Sequence, residues 1–376
     1  MTPTSGDADG RGVVGRDPTM TPRKTRIGSV LCALVGVLAV PAARAEPVTV
    51  TIDSGALTGT YAESVNVTRF LGIRFGEAPL RFAPPQPARP WGSPASSGND
   101  TGSGNSTGIW NTTSAGGPYG AGRPYDASAY APTCLQQFNG PADARNRSMQ
   151  WFNTPPFTGP ESEDCLFLNV FSPGPAPVAS QGKAVMVWFY GGSFKIGSGA
   201  LPAYDGTEFA SRQDVVVVTF NYRLGIFGFP GAPQLDPEQR NLGFLDQRLA
   251  LDWVQRNIAS FGGDPRRVTI FGESAGAGSV DCLVTAPPTG PSTASDPAPA
   301  PPFAAAIMQS GQSSAGISNP RFTSRNSWQK LARAMGCAQT GPDGLACMRA
   351  VPATQLRDSA EQQALAFFPV HDGGAT

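Results

Sequence analysis

The residues best suited to chemistry lie in one short segment, residues 268–277. An apolar, β-branched run leads directly into the pattern Gly272-x-Ser274-x-Gly276, and small residues follow it. This order predicts a strand, a sharp turn carrying Ser274 and then a helix, which is the arrangement of a nucleophile elbow. Glycine is expected on both sides of the serine because Cβ atoms there would clash in so tight a turn. The alternative is a loop rich in Gly, Ser and Ala, since the bare pattern also arises by chance in a chain with 45 glycines.

A serine nucleophile needs a base, and the chain contains one histidine, His371. The acids that precede it, Asp358 and Glu361, fall in a polar segment that is predicted to be a surface helix. A histidine-based metal site is not expected with a single imidazole, and no cofactor is predicted. An ordinary serine triad completed within this chain is not expected either.

Composition narrows the class of protein. The formal net charge is +0 and charged residues make up 15% of the chain, below the ~25% of typical soluble domains. No basic patch stands out, so a nucleic-acid partner is not expected. The length of 376 residues allows one large α/β domain or two smaller ones.

The N-terminus has the pattern of a secretory signal peptide, which we place at residues 1–45. A basic stretch at 23–26 precedes an apolar run at 27–40 and a small-x-small cleavage site at 43–45. Met20 would begin a leader of ordinary length, so we expect translation to begin there. The apolar run is too short to span a bilayer, and no stable membrane span is predicted.

Acceptors for N-glycosylation follow this leader. The Asn-x-Ser/Thr sites are Asn66, Asn99, Asn105, Asn111 and Asn146. Each pattern alone is weak, but their number after a leader predicts a secreted, extracellular glycoprotein.

The rest of the chain alternates between strand and helix patterns. Apolar runs at 184–190 and 215–220 predict strands buried on both faces, as in a parallel sheet. Residues 241–261 change to a helical period, with apolar side chains four apart. Residues 92–118, rich in Gly, Ser, Thr and Asn, and the Pro/Ala/Ser-rich residues 286–302 are predicted to be flexible insertions. The alternation of strand and helix patterns along the chain indicates an α/β fold.

Smaller expectations concern single segments. Residues 262–265, Gly-Gly-Asp-Pro, are predicted to end the helix before the strand of Ser274 begins. Residues 304–311 are predicted to form a further strand and 328–335 a helix. Cys337 and Cys347 are predicted to bracket a short loop.

Four ordered runs resemble the type-B carboxylesterase/lipase family, which includes cholinesterases and fungal secreted lipases. They are Glu-Asp-Cys-Leu-Phe-Leu-Asn-Val at 163–170, Tyr-Gly-Gly-Ser-Phe at 190–194, Asn-Tyr-Arg-Leu-Gly at 221–225 and the block 241–277. The resemblance implies an α/β-hydrolase fold, with a mostly parallel central sheet flanked by helices. It also implies hydrolysis of a small-molecule or lipid ester through an acyl-enzyme.

This resemblance assigns roles at the elbow. Ser274 is the implied nucleophile, and the backbone N–H groups of Gly192, Ser193 and Ala275 are the implied oxyanion donors. Many relatives have glycine where Ser193 stands, so this chain adds a Cβ and a hydroxyl at that donor. The alternative for Gly191 and Gly192 is a tight turn that follows a strand.

The same resemblance implies a disulfide pattern. It pairs Cys134 with Cys165 and Cys337 with Cys347. Cys282 remains just beyond the elbow, and we expect it to be a small buried thiol.

The family's order of catalytic residues bears on the extent of this chain. There the acid and the histidine follow the serine and come from a part of the sequence beyond position 376. We therefore expect residues 46–376 to be the N-terminal two-thirds of an esterase, a truncated domain whose sheet lacks its last strands and exposes an apolar edge and face. Two functions stay open: a secreted carboxylic ester hydrolase, and a catalytically inactive relative that acts in binding or adhesion. The substrate's acyl and alcohol groups and the oligomeric state are not predicted.

Overall fold

The computed structural model describes most of the chain beyond the expected leader. The described residues are 46–91, 124–138, 142–151, 161–177, 182–285, 300–313, 321–337 and 341–370. All of them belong to one unit, Ala43–Thr376. The expected leader, the insertion at 92–118 and residues 286–299 of the second insertion lie outside the described residues, as do Asn99, Asn105, Asn111 and His371.

A central β-sheet organises the described residues. The strands are β1 (Glu46–Ile52), β2 (Gly55–Ala62), β3 (Val67–Arg74), β4 (Gly76–Glu77), β5 (Gln86–Pro87), β6 (Tyr125–Asp126), β7 (Phe167–Pro173), β8 (Lys183–Phe189), β9 (Val216–Phe220), β10 (Gly263–Glu273) and β11 (Ala305–Gln309). The main sheet runs in the order β1-β2-β3-β7-β9-β8-β10-β11, with β6 beside β2, while β4 and β5 form a separate pair. Neighbours from β9 to β11 are parallel, whereas β1, β2, β3, β7 and β9 pair antiparallel. The predicted α/β-hydrolase class is confirmed, and the parallel half of this mixed sheet is the half that carries Ser274.

Helices cover both faces of the sheet. They are α1 (Ala142–Trp151), α2 (Thr207–Gln213), α3 (Gly225–Gly228), α4 (Leu242–Asn257), α5 (Ala275–Thr285), α6 (Arg321–Ala334), α7 (Pro342–Ala350) and α8 (Ala353–Gln362). Trp253 of α4 and Val280 of α5 share one core cluster with Val187 of β8. Val217 of β9 points to the other face, where it packs with Ala210 of α2. In the described part of the chain, no helix is long and apolar enough to cross a membrane.

The prediction that strand 184–190 is buried on both faces is only half right. Val185 and Val187 are fully buried, but Met186 and Trp188 on the opposite face are partly exposed. Helix α2 packs against β3, β7 and β9 on that side, so β8 receives less cover. At β11, the outermost strand among the described residues, Ile307 and Met308 are 44% and 45% exposed. The expected apolar edge and face are therefore present in the described sheet.

The expected stop at residues 262–265 is confirmed: a short 3₁₀ turn at Ile258–Phe261 follows α4 and is ended by Gly262, which has φ +81°, and β10 begins directly afterwards at Gly263. Two other sequence expectations need correction. The segment before Cys347 is not a loop: helix α7 begins at Pro342, where the missing N–H costs nothing. Glu361 is not on the surface, since it is only 7% exposed.

Both expected disulfides are present. Cys134 is bonded to Cys165 and Cys337 to Cys347. Cys282, which we expected to be a small buried thiol, is partly rather than fully buried.

Candidate active site

Ser274 occupies the turn between β10 and α5. Its backbone has φ +52°, a left-handed conformation that an L residue adopts only under strain. The Ser274 N–H donates to the carbonyl of Gln309 on β11 (2.9 Å), and its carbonyl accepts from the N–H of Gly278 in α5 (3.0 Å). The turn is therefore held by the strand beside it and by the helix after it, with the serine partly exposed.

The two glycines of the elbow are required by backbone contacts. A Cβ on Gly276 would lie 2.0 Å from the carbonyl oxygen of Phe189, and one on Gly272 would lie 2.6 Å from the carbonyl carbon of Gly276. No real Cβ makes contacts this short. The steric reason predicted from the spacing around Ser274 is confirmed.

The loop that follows β8 lies against the elbow. We call residues 191–197 the oxyanion loop. A Cβ on Gly191 would lie only 3.1 Å from the Cβ of Ser274. Gly192 has φ +113°, and Ser193 and Phe194 both have φ +57°. The Gly192 carbonyl accepts from the N–H groups of Lys195 (3.0 Å) and Ile196 (3.1 Å).

The three expected oxyanion donors adjoin this junction. Among the described residues, the N–H groups of Gly192 and Ser193 take no part in backbone hydrogen bonding. Ala275 is the first residue of α5, and the first N–H groups of a helix lack partners within it. Gly191, which precedes Gly192, lies against Ser274, and Ala275 follows the serine directly; the three donor roles stay predictions.

Two buried tyrosines pack against each other next to the start of the oxyanion loop. The rings of Tyr190 and Tyr222 are stacked with centroids 4.3 Å apart. The Tyr222 hydroxyl donates to the Tyr190 carbonyl (2.7 Å), and the Tyr190 hydroxyl donates to the Tyr222 carbonyl (3.2 Å). Complete burial raises the pKa of both phenols, so neither ionises near neutral pH. They connect the ends of β8 and β9.

Glu273 is a charged neighbour that the motif analysis did not single out. It is exposed, and a Cβ on Gly191 would lie 2.7 Å from its Oε2 atom. Burial, together with the charge of Glu273, raises the pKa of Tyr204. A carboxylate therefore faces the start of the oxyanion loop. Its position next to Ser274 in the sequence was the available signal.

The base for Ser274 is not found in the described structure. The sole histidine of the chain, His371, lies outside the described residues. Among the residues with described side chains, no cluster of His, Cys, Asp and Glu has a geometry that would hold a metal ion. The described site therefore consists of a strained serine, the oxyanion loop beside it and the start of α5.

Sequence comparison agrees with this geometry. The model of the carboxylesterase family matches residues 46–103 and 121–375. The chain belongs to the carboxylesterase family. Mouse cholinesterase is 37% identical over 289 residues, which cover 75% of this chain and 40% of that protein. Acetylcholinesterase of Bungarus fasciatus is 37% identical over 256 residues, which cover 67% of this chain and 36% of that protein.

A solved structure from the same family is also similar. The carboxylesterase EST55 of Geobacillus stearothermophilus, determined at pH 6.2, superposes with a TM-score of 0.64 and 31% identity. The match covers 86% of this chain and 56% of that one. The chain spans about two-fifths of the length of the mouse cholinesterase and of the Bungarus fasciatus acetylcholinesterase.

Proposed function

We propose that this chain carries the nucleophile and oxyanion hole of a carboxylic ester hydrolase. The observation that carries the proposal is the strained backbone of Ser274, held at φ +52° against a loop in which, among the described residues, the N–H groups of Gly192 and Ser193 take no part in backbone hydrogen bonding. A non-glycine residue in this conformation costs about 1–3 kcal/mol, and such strain concentrates at functional sites.

The proposed chemistry is acyl transfer. The Ser274 Oγ attacks the ester carbonyl carbon while its proton passes to a histidine base, and the carbonyl π electrons move to the oxygen. The N–H groups of Gly192, Ser193 and Ala275 stabilise that oxyanion. When the tetrahedral intermediate collapses, the alcohol leaves with the proton from the histidinium. Water then hydrolyses the acyl-enzyme by the same steps.

The substrate is a small-molecule or lipid ester, and no metal or cofactor takes part in these steps. The described residues contain no histidine, so the base is either His371 or a residue that this chain does not include. Without a base, Ser274 would retain at most about 10³–10⁴-fold acceleration over water, from the oxyanion hole and binding.

We also propose that the protein is secreted and glycosylated. Asn66 and Asn146, the two acceptors among the described residues, are both exposed. The two disulfides suit an oxidising compartment. Secretion into the medium, with a loss of mass after removal of N-glycans, would support this assignment; retention in the cytosol would contradict it.

A fluorophosphonate probe tests the nucleophile directly. Covalent labelling of the wild-type chain that disappears in Ser274→Ala, but not in the matched Ser279→Ala variant, would support the proposal. Ser279 lies one turn further along α5 and is completely buried, so it is not expected to react. Because an oxyanion hole alone should leave residual reactivity, a folded wild-type chain in which Ser274 is labelled no faster than Ser279 would contradict the proposal and favour the inactive, binding-type relative.

A further inference from the structure

The oxyanion loop is hydrogen-bonded to residues 136–138, which lie much earlier in the chain. We call these residues the anchor segment. The N–H of Gln137 donates to the carbonyl of Lys195 (2.8 Å). The Oε1 atom of Gln136 accepts from the N–H of Gly197 (2.7 Å). These two hydrogen bonds fix the C-terminal part of the loop, residues 195–197. Gly192 and Ser193 lie in its N-terminal part.

The anchor segment has no regular secondary structure, so other groups must hold it. The N–H of Phe138 donates to Oε1 of Glu361 (2.8 Å). Arg145 of α1 donates to the carbonyl of Gln136 (3.1 Å), and the Gln137 side chain donates to the carbonyl of Leu365 (2.6 Å). The segment is thus fastened to α8 and to the residues that follow it.

Glu361 is the buried charge in this arrangement. Its carboxylate forms an ion pair with Arg145, whose guanidinium lies 4.8 Å from the centroid of the Phe138 ring. Arg145 also pairs with Glu161, which in turn pairs with Arg357. Asp358, at the rim, pairs with Arg357. Burying such a pair seldom adds net stability over apolar residues of the same size, so stability alone does not account for this carboxylate.

We propose that Glu361 is a positioning residue for the oxyanion loop. It accepts from the Phe138 N–H and holds Arg145 on the Gln136 carbonyl, and through these contacts it fixes the anchor segment. The anchor segment in turn fixes the Lys195 carbonyl and the Gly197 N–H. The consequence for catalysis rests on the proposed function, because the loop matters for rate only if Gly192 and Ser193 are donors.

The raised pKa of Glu361 should make the order of the oxyanion loop depend on pH. Burial raises the pKa of this carboxyl, while the Phe138 N–H, Arg145 and Arg357 oppose that shift. Glu361 therefore becomes protonated at a higher pH than an exposed glutamate. Protonation removes the charge that holds Arg145, so the oxyanion loop should lose order in mildly acidic solution.

Hydrogen exchange of the loop tests the positioning role without requiring activity. Glu361→Gln keeps an acceptor oxygen but removes the charge, and it should speed amide exchange in a peptide covering 190–198 by about tenfold, equivalent to about 1.4 kcal/mol of opening free energy. Asp143→Asn is the matched control, because it breaks an exposed ion pair with Arg147 on the same helix as Arg145. It should leave that peptide unchanged. Faster exchange confined to residues 136–138 and α8 would overturn the proposal.

A second variant covers the case in which Glu361→Gln does not fold. Gln136→Leu removes the acceptor of the Gly197 N–H directly, and it should also speed exchange of 190–198. The wild-type chain needs no substitution at all: its loop should exchange faster, relative to the intrinsic rate, in mildly acidic than in neutral solution. Equal protection of the loop at the two pH values would contradict the role of the Glu361 charge.

Labelling by the fluorophosphonate distinguishes a failure of the positioning role of Glu361 from a failure of the proposed hydrolase function. If Ser274 reacts with the fluorophosphonate, Glu361→Gln should lower the maximal rate constant of labelling about tenfold and leave the half-saturating concentration unchanged, a smaller loss than the 10²–10³ for removing a donor. If the wild type does not react but the exchange difference is present, the positioning role stands and the hydrolase proposal fails. If labelling proceeds equally in both proteins, Glu361 has no positioning role in the reaction.

Discussion

A Cβ atom on Gly276 would lie 2.0 Å from the carbonyl oxygen of Phe189. This single approach joins the start of α5 to the end of β8. It therefore sets how closely the Ser274 turn and the oxyanion loop meet. The proposed oxyanion hole would depend on the absence of a side chain at position 276 as much as on the presence of Ser274.

Substitution of Gly276 by alanine should be severely destabilising. The added methyl group meets backbone rather than a movable side chain, so we expect a loss of about 3 kcal/mol in the free energy of unfolding. Gly336→Ala is the control, because Gly336 has φ +70° but open space around it. It should cost only the conformational strain of about 1–2 kcal/mol. Equal losses in guanidinium denaturation would show that the contact with Phe189 is relieved by a small shift.

Ser193→Gly should stabilise the protein. Ser193 has φ +57°, and relief of about 1–2 kcal/mol of left-handed strain outweighs the ~0.5–1 kcal/mol that glycine loses in chain entropy. The N–H that would bind an oxyanion is retained. Gly192→Ala should have the opposite effect, since its Cβ would lie 2.3 Å from the Ile196 carbonyl oxygen. A Ser193→Gly variant with a lower unfolding midpoint than wild type would refute this account.

The ion pair between Arg223 and Asp246 should be essential for folding. Asp246 is fully buried and accepts from the Arg223 backbone N–H (2.9 Å) and from two atoms of its guanidinium (2.7 and 2.8 Å). Arg223→Met should cost about 3–5 kcal/mol because it leaves a buried carboxylate unpaired. Arg212→Met breaks an exposed pair with Glu208 and should cost less than about 1 kcal/mol. Similar losses in the two variants would contradict the assigned burial.

Glu361 should make stability and loop order respond to pH in opposite directions. The pKa of Glu361 is raised in the folded protein, mainly by burial, from the ordinary value of 4.5. Its contribution to stability is therefore present below 4.5, the pKa in the unfolded chain, and is lost as pH rises through the higher value of the folded chain. Across that window, wild type should lose stability relative to Glu361→Gln while its oxyanion loop gains protection. Denaturation at a series of pH values measures the first trend, and a wild type that gains stability relative to the variant would reverse the assigned direction.

Local chemistry made the elbow predictable from sequence. The requirement for glycine at 272 and 276 follows from the turn itself, so no knowledge of distant residues was needed. Helix α4 was equally predictable from the sequence, because apolar side chains spaced at the helical period specify its buried face. The left-handed backbone of Ser193 was not predictable, since nothing in the side chain requires it.

Burial of Glu361 depends on partners far along the chain. Arg145 precedes it by 216 residues and Phe138 by 223, and the polar helix that carries it looks solvent-exposed when considered alone. The partial exposure of Met186 and Trp188 has a similar origin. Whether one face of a strand is covered depends on where a helix such as α2 reaches, and the composition of the strand does not encode that.

The strand order of the sheet has a consequence for the kinetics of folding. β1, β2 and β3 pair with one another in sequence order, whereas β3 pairs with β7 and β8 pairs with β10, a strand much later in the chain in each case. Closing such long loops is entropically slow. The Ser274 turn needs β8, β10 and β11 all in place, so during refolding it should become native after the β1–β2–β3 hairpins have formed.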